Sequence, residues 1–120
     1  MASKSRVPPE SFLPLSPVSF YVLLALTDGA KHGYAIMRGV ADLTDGEVRL
    51  GSGTMYRAIS SLLDDGLVEE TTPDRPTYDD ERRRYYALTT LGRSVLQAET
   101  KRMENAVKLS RAKRVQARTS

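Results

Sequence analysis

The side chains able to do chemistry in this 120-residue chain are few, and their spacing excludes more than it permits. There is one His, His32, and no Cys. That removes thiol catalysis, Cys-ligated zinc, Cys-held iron–sulfur clusters and disulfide scaffolds. A single His also removes His-rich metal sites and makes a Ser–His–Asp enzyme a thin prospect. The acidic run Asp79-Asp80-Glu81 sits in a loop without His partners, which argues against a divalent-ion site. No glycine-rich phosphate loop, metal-ligand spacing or nucleophile–base pair is present. No catalytic residue, metal or cofactor is therefore expected.

Cations remain, and their distribution matters more than the net charge of +3. Residues 100–120 hold seven basic groups and one acid, whereas residues 16–99 hold nine basic groups against thirteen acidic ones. A sequence pI near 9.3 thus describes a basic tail on an acidic body, not a basic face. Lys108, Arg111, Lys113, Arg114 and Arg118 read as a solvated tail, with added nonspecific DNA affinity as the alternative.

The elements that must position the remaining groups follow from periodicity and capping. Residues 1–14 form a Pro- and Ser-rich arm. Ser16-Pro17 opens a helix that is apolar on nearly every side through Leu26 and ends at Asp28-Gly29. Lys4 and Arg6 before this segment resemble a secretory leader, but no small-x-small cleavage pattern follows. The longest strictly apolar run, Phe20 to Leu26, is too short to span a bilayer. A core helix in a cytoplasmic protein with no membrane contact is the expectation.

A second helix runs from Tyr34 to Leu43, and Glu47 to Leu50 alternates as a short strand stub. Gly51-Ser52-Gly53-Thr54 offers a cap for a third helix with Met55, Ala58, Ile59, Leu62 and Leu63 on one stripe, stopped by Gly66. Leu67–Thr71 and Arg84–Leu88 read as two strands around a long loop holding Pro73 and Pro76. Thr89 or Thr90 caps a last helix, striped by Leu91, Val95, Leu96, Met103, Ala106 and Val107 and fraying beyond it. Three helices followed by such a hairpin is a winged helix-turn-helix: mainly α with a small β-hairpin. The division expected is an arm over 1–14, a winged domain over 15–89 and a C-terminal dimerisation helix with a basic tail over 90–120.

On the third helix the face opposite the apolar stripe carries Gly53, Arg57, Ser60, Ser61 and Asp64, with Thr54 and Tyr56 at its margins. Thr54, Tyr56, Arg57 and Ser60, with Ser52 ahead of them, suit contacts to phosphates and base edges; a solvated helix face is the plain alternative. Tyr34 opens the second helix, where backbone amides favour a phosphate, and equally suits the core. His32 beside Gly33 reads as a turn or capping residue. Arg82, Arg83 and Arg84 alternate along a strand, so at least one should face away from DNA. An ion-pair cluster with the acids before them is the alternative there.

Several motifs in order resemble the PadR family of bacterial transcriptional regulators: His32-Gly33-Tyr34, Gly53-Thr54-Met55-Tyr56, Asp65-Gly66-Leu67, and Tyr85-Tyr86 before Leu88-Thr89 with Gly92. The resemblance covers roughly residues 13–100, and one short C-terminal helix matches the compact branch of that family. It implies a homodimeric repressor on a palindromic duplex, with the last helix crossing to the partner. It also implies a small hydrophobic or aromatic effector at the dimer interface, for which Val18, Phe20 and Val22 would meet Glu99, Met103 and Val107 of the partner subunit's last helix; a surface ion pair with Arg102 or Lys101 is the plainer account of Glu99. Family wings are often Gly-rich and basic, whereas Thr72 to Glu81 here holds four acids and one Arg. A winged-helix module that binds protein instead of DNA is the competing reading, favoured by the acidic excess of residues 16–99.

Overall fold

The computed structural model describes residues 7–73 and 83–119, with side chains described as far as 114. Helix α1 (Pro17–Ala25) opens as its sequence requires: Ser16 Oγ accepts the Ser19 N–H at 3.1 Å, and Pro17 fills the first helical position. Helix α2 (Gly33–Leu43) is capped by His32, whose Nδ1 accepts the Ala35 N–H at 3.2 Å. Helix α3 (Ser52–Asp64) starts after Gly51 with no side-chain cap, so the cap sought within residues 51–54 is made by backbone alone. Gly66, at φ 76°, supplies the left-handed turn after α3.

The sheet differs from expectation in one strand. Strands β1 (Lys31–His32), β2 (Val68–Thr71) and β3 (Tyr85–Leu88) pair antiparallel in the order β1-β3-β2. The stub expected at Glu47–Leu50 is a loop; Lys31 and His32 instead pair with Tyr86 and Tyr85. The alternation at 47–50 has another cause, since Val48 and Leu50 pack on the core from a turn built by Thr44. Thr44 Oγ1 donates to the Val40 carbonyl and accepts the Val48 N–H, both at 3.0 Å, which satisfies backbone that a strand would otherwise pair.

Helix α4 (Thr90–Thr119) is a single helix of 30 residues, about 45 Å long at 1.5 Å per residue, and runs on past Val107. Its first turns belong to the winged core, where Val95 and Leu96 are buried. Thr89 Oγ1 donates to the Gly66 carbonyl at 2.7 Å and accepts the Gly92 N–H at 2.9 Å, joining the end of α3 to the start of α4. Gly92 lies so close to Leu67 that an added Cβ would strike its carbonyl oxygen and come within 2.9 Å of its carbonyl carbon. Backbone cannot yield as a side chain can. Gly92→Ala should therefore destabilise the fold by about 1–3 kcal/mol, read as a lower midpoint in denaturant titration.

The arm is partly fastened down. Pro9–Phe12 forms one 3-10 turn that packs against α4, and Phe12, Leu13 and Leu15 lie on the core. Glu99 on α4 is only 2% exposed, not the surface group the sequence suggested. It pairs with Arg102 through bonds of 2.6 and 3.0 Å and accepts the Leu15 N–H at 3.0 Å. The Arg102 guanidinium holds the Glu99 carboxyl below its ordinary range; burial opposes this, and the Leu15 amide adds to it. A depressed folded pKa contributes stability that is complete above the unfolded value, about 4.3, and lost as pH falls through the folded one. The stability difference between wild type and Glu99→Gln, measured by denaturation from pH 7 to pH 3, should thus shrink across that acid window.

Candidate nucleic-acid interface

The register that pairs β1 with β3 carries the N-terminus of α2 up to the wing strands. There His32, Gly33 and Tyr34 meet Tyr56 of α3 and Arg83, Arg84 and Tyr86 around an open concavity of about 570 Å³. Besides its cap, His32 touches Arg83 and Tyr85. Its Nε2 lies 3.1 Å from Arg83 Nη1, and its ring stands edge-on to Tyr85 at 5.3 Å. Arg84 pairs with Glu70 at 3.3 Å, both exposed. Tyr86 forms the buried floor, and its phenol is pushed up chiefly by burial and then by Tyr56 and Glu70. It remains a neutral hydroxyl at physiological pH. Tyr34 is 61% exposed, and one turn on, Arg38 is held higher than an ordinary guanidinium, first by a hydrogen bond with Tyr34.

Next to this concavity lies the outer face of α3. Met55, Ile59 and Leu62 are buried, while Ser52, Thr54, Tyr56, Arg57, Ser60 and Asp64 are exposed, as the 3.6-residue period requires. Arg57 bends back along the helix, Nη2 3.4 Å from Thr54 Oγ1, a bond weak enough to exchange for another acceptor.

Of the expected contact residues, the structure therefore brings Tyr34, Tyr56, Arg83 and Arg84 into one cavity and sets Ser52, Thr54, Arg57 and Ser60 on the α3 face. Arg82 and the acids Asp79, Asp80 and Glu81 lie outside the described residues. Arg83 and Arg84 do not alternate: β3 begins at Tyr85, so both precede the pleat and line the same hollow. His32 and Gly33 are part of the site too. The sequence signal was there, since a cap, a glycine and an exposed Tyr in succession place all three at one helix start.

The six effector positions, expected on α1 of one subunit and on the last helix of its partner, are not all free to face a ligand. Val22 is completely buried among core side chains and Glu99 is committed to Arg102 and Leu15, so neither can face a ligand in this arrangement. Val18, Phe20 and Met103 are half-buried and Val107 is 46% exposed. A groove of about 430 Å³ does run between α1 and α4, but Leu24, Thr27, Leu96 and Thr100 line it instead of those six. Among the described residues no cluster of three His, Cys, Asp or Glu could hold a metal, and no helix is long and apolar enough to cross a membrane.

Three helices, a small antiparallel sheet and a polar, outward-facing third helix define a winged-helix protein. The pattern of the transcriptional regulator PadR-like family matches residues 22–98, and the chain belongs to that family. It is similar in fold to a transcriptional regulator from Clostridium thermocellum (TM-score 0.67, 24% identity, 79% of this chain and 87% of that one). A PadR family regulator from hypervirulent Clostridium difficile matches at TM-score 0.67 and 21% identity over 81% of this chain and 97% of that one. Bacillus subtilis PadR in complex with operator DNA matches at TM-score 0.58 and 20% identity, over 69% of this chain and 46% of that one. In sequence, an uncharacterized 37.1 kDa protein of a Streptomyces fradiae transposon is 38% identical over 82 residues, 68% of this chain. The chain spans about a fifth, 21%, of that relative's length.

His32 is the hinge of the site, since it caps α2 and touches Arg83. His32→Ala should lower stability by about 1 kcal/mol through the lost cap, whereas His32→Asn, a good capping residue, should recover most of it. Thermal unfolding of the two variants side by side checks this.

Proposed function

We propose that the chain is a sequence-specific DNA-binding regulator, a repressor acting as a homodimer on a palindromic operator in the cytoplasm. The observation that carries the reading is the convergence of Tyr34, Tyr56 and Arg83 in one hollow beside the exposed Thr54, Arg57 and Ser60 of α3. In this reading α3 enters the major groove and Arg57 reads a base edge, while the tyrosines and Arg83 take backbone phosphates. Family membership supports it. Arg57→Ala should weaken binding to a selected duplex by about 1–3 kcal/mol with relaxed sequence preference. An equal loss on all sequences would move Arg57 to phosphate, and no loss would remove it from the contact.

The dimer rests on α4, whose residues from Thr100 to Arg114 are all exposed except Met103. Leu96 is buried in its own winged core, so Met103 and Val107, not Leu96, are the residues offered to a partner helix. Two α3 helices would then stand about 34 Å apart, one turn of DNA. Met103→Asp with Val107→Asp should give a folded monomer in sedimentation; an intact dimer would place the interface elsewhere. A small hydrophobic or aromatic effector would act through the α1–α4 groove, which a crossing partner helix would close.

The acidic excess of residues 16–99 favours a second reading, a winged helix that binds protein. Duplex selection from a random pool separates them: selective binding that weakens steeply with salt belongs to DNA.

A further inference from the structure

Gly33 opens α2 directly beneath the phenol of Tyr56. A Cβ at Gly33 would overlap the Tyr56 hydroxyl, and would stand 2.9 Å from its Cζ and 3.0 Å from Met55 Cε. Gly33 is buried and helical, so space and not backbone conformation is what its hydrogen side chain supplies. The ring admitted there is half-exposed, at 49%, and shares the hollow with Tyr34 and Arg83. An exposed tyrosine on a helix has more than one rotamer available, and solvent alone does not choose among them. The bare Cα of Gly33 is a wall contact that does.

We propose that Gly33 is a positioning residue for Tyr56: the missing side chain is the seat that holds the phenol in the hollow, aimed at the backbone of bound DNA. The inference rests on the DNA-binding reading of this face. It makes Gly33 a residue of recognition that touches no ligand. The three atoms a Cβ would meet are far ends of side chains, not backbone. Tyr56 has open solvent to swing into, and Ala is a better helix former than Gly. An added methyl at position 33 is therefore expected to move the tyrosine, while the flexible end of the buried Met55, 3.0 Å away, gives by a few tenths of an ångström and the fold stays in place.

The test is a double-mutant cycle in the full chain with Gly33→Ala, Tyr56→Ala and both together. Affinity for a duplex selected on wild type, its salt dependence and thermal unfolding are measured for each. Gly33→Ala should lose affinity about 3- to 10-fold, the size of one lost hydrogen bond, and about as much as Tyr56→Ala. The double variant should lose no more than Tyr56→Ala alone, and the Gly33→Ala unfolding midpoint should stay near wild type. Should Gly33→Ala fail to fold, recovery of folding in the double variant would equally identify the Tyr56 ring as what the methyl meets. Losses that add, wild-type affinity in Gly33→Ala, or a double variant that also fails to fold would each overturn the proposal. A wild-type chain that binds no duplex would overturn the DNA reading itself, a result separate from all of these.

Discussion

The packing of α1 is the constraint on which every other placement depends. Val22, Leu23, Ala25 and Leu26 are buried, and the helix touches α2, α3 and α4 at once. A helix apolar on nearly every side has no solvent face to offer, so it must sit between partners. α2 and α3 are consequently fixed to each other through α1, by Ile36 and Val40 on one and Met55 and Ile59 on the other. The spacing of the two helices that carry Tyr34 and Tyr56 is set from inside the molecule, and the Gly33 contact then seats the Tyr56 ring.

A second junction sets the wing strands. The Thr89 hydroxyl bonds Gly66 on one side and Gly92 on the other, while Leu67 and Gly92 touch through backbone. The end of α3, the start of β2, the end of β3 and the start of α4 thus meet within a few residues. Through β3 this junction carries outward to Tyr85 and Tyr86, then to β1 and the His32 cap. The hollow is closed by strand register at one end and helix packing at the other. Side chains at its rim, such as Arg84 and Tyr34, can move without disturbing either.

How much of this was legible follows from the kind of signal each residue gives. Local chemistry was readable: Ser16-Pro17, Gly66 and Thr89 do at their positions what cap and turn rules require. The exposed side of α3 followed from its period. Pairing was not readable, because the two-residue strand Lys31–His32 exists only through β3, whereas Glu47–Leu50 mimics a strand from inside a turn. Arg83 and Arg84 were misjudged for the same reason, since where a pleat begins depends on the partner strand. Glu99 was hidden for a different one. A glutamate near Lys101 and Arg102 looks like a surface ion pair, and only the docking of Leu15, far away in sequence, makes it a buried anchor.

The same distinction resolves the conflict between an acidic body and a nucleic-acid reading. Net charge averages over a surface that α3 divides along its length. Its first half presents Thr54, Tyr56 and Arg57, its middle Ser60, and its end Asp64 and Asp65. Glu69 and Glu70 continue the acid onto β2, where Glu70 already pairs with Arg84. The helix dipole adds in the same sense, positive at the start and negative at the finish. A polyanion laid across α3 would be accepted at the first two turns and turned away at the last. On the DNA reading the acids are then not a defect of the interface. They fix which end of the helix enters the groove, and leave affinity to Arg57, Arg83 and neutral hydroxyls, few enough that geometry outweighs charge in choosing the sequence.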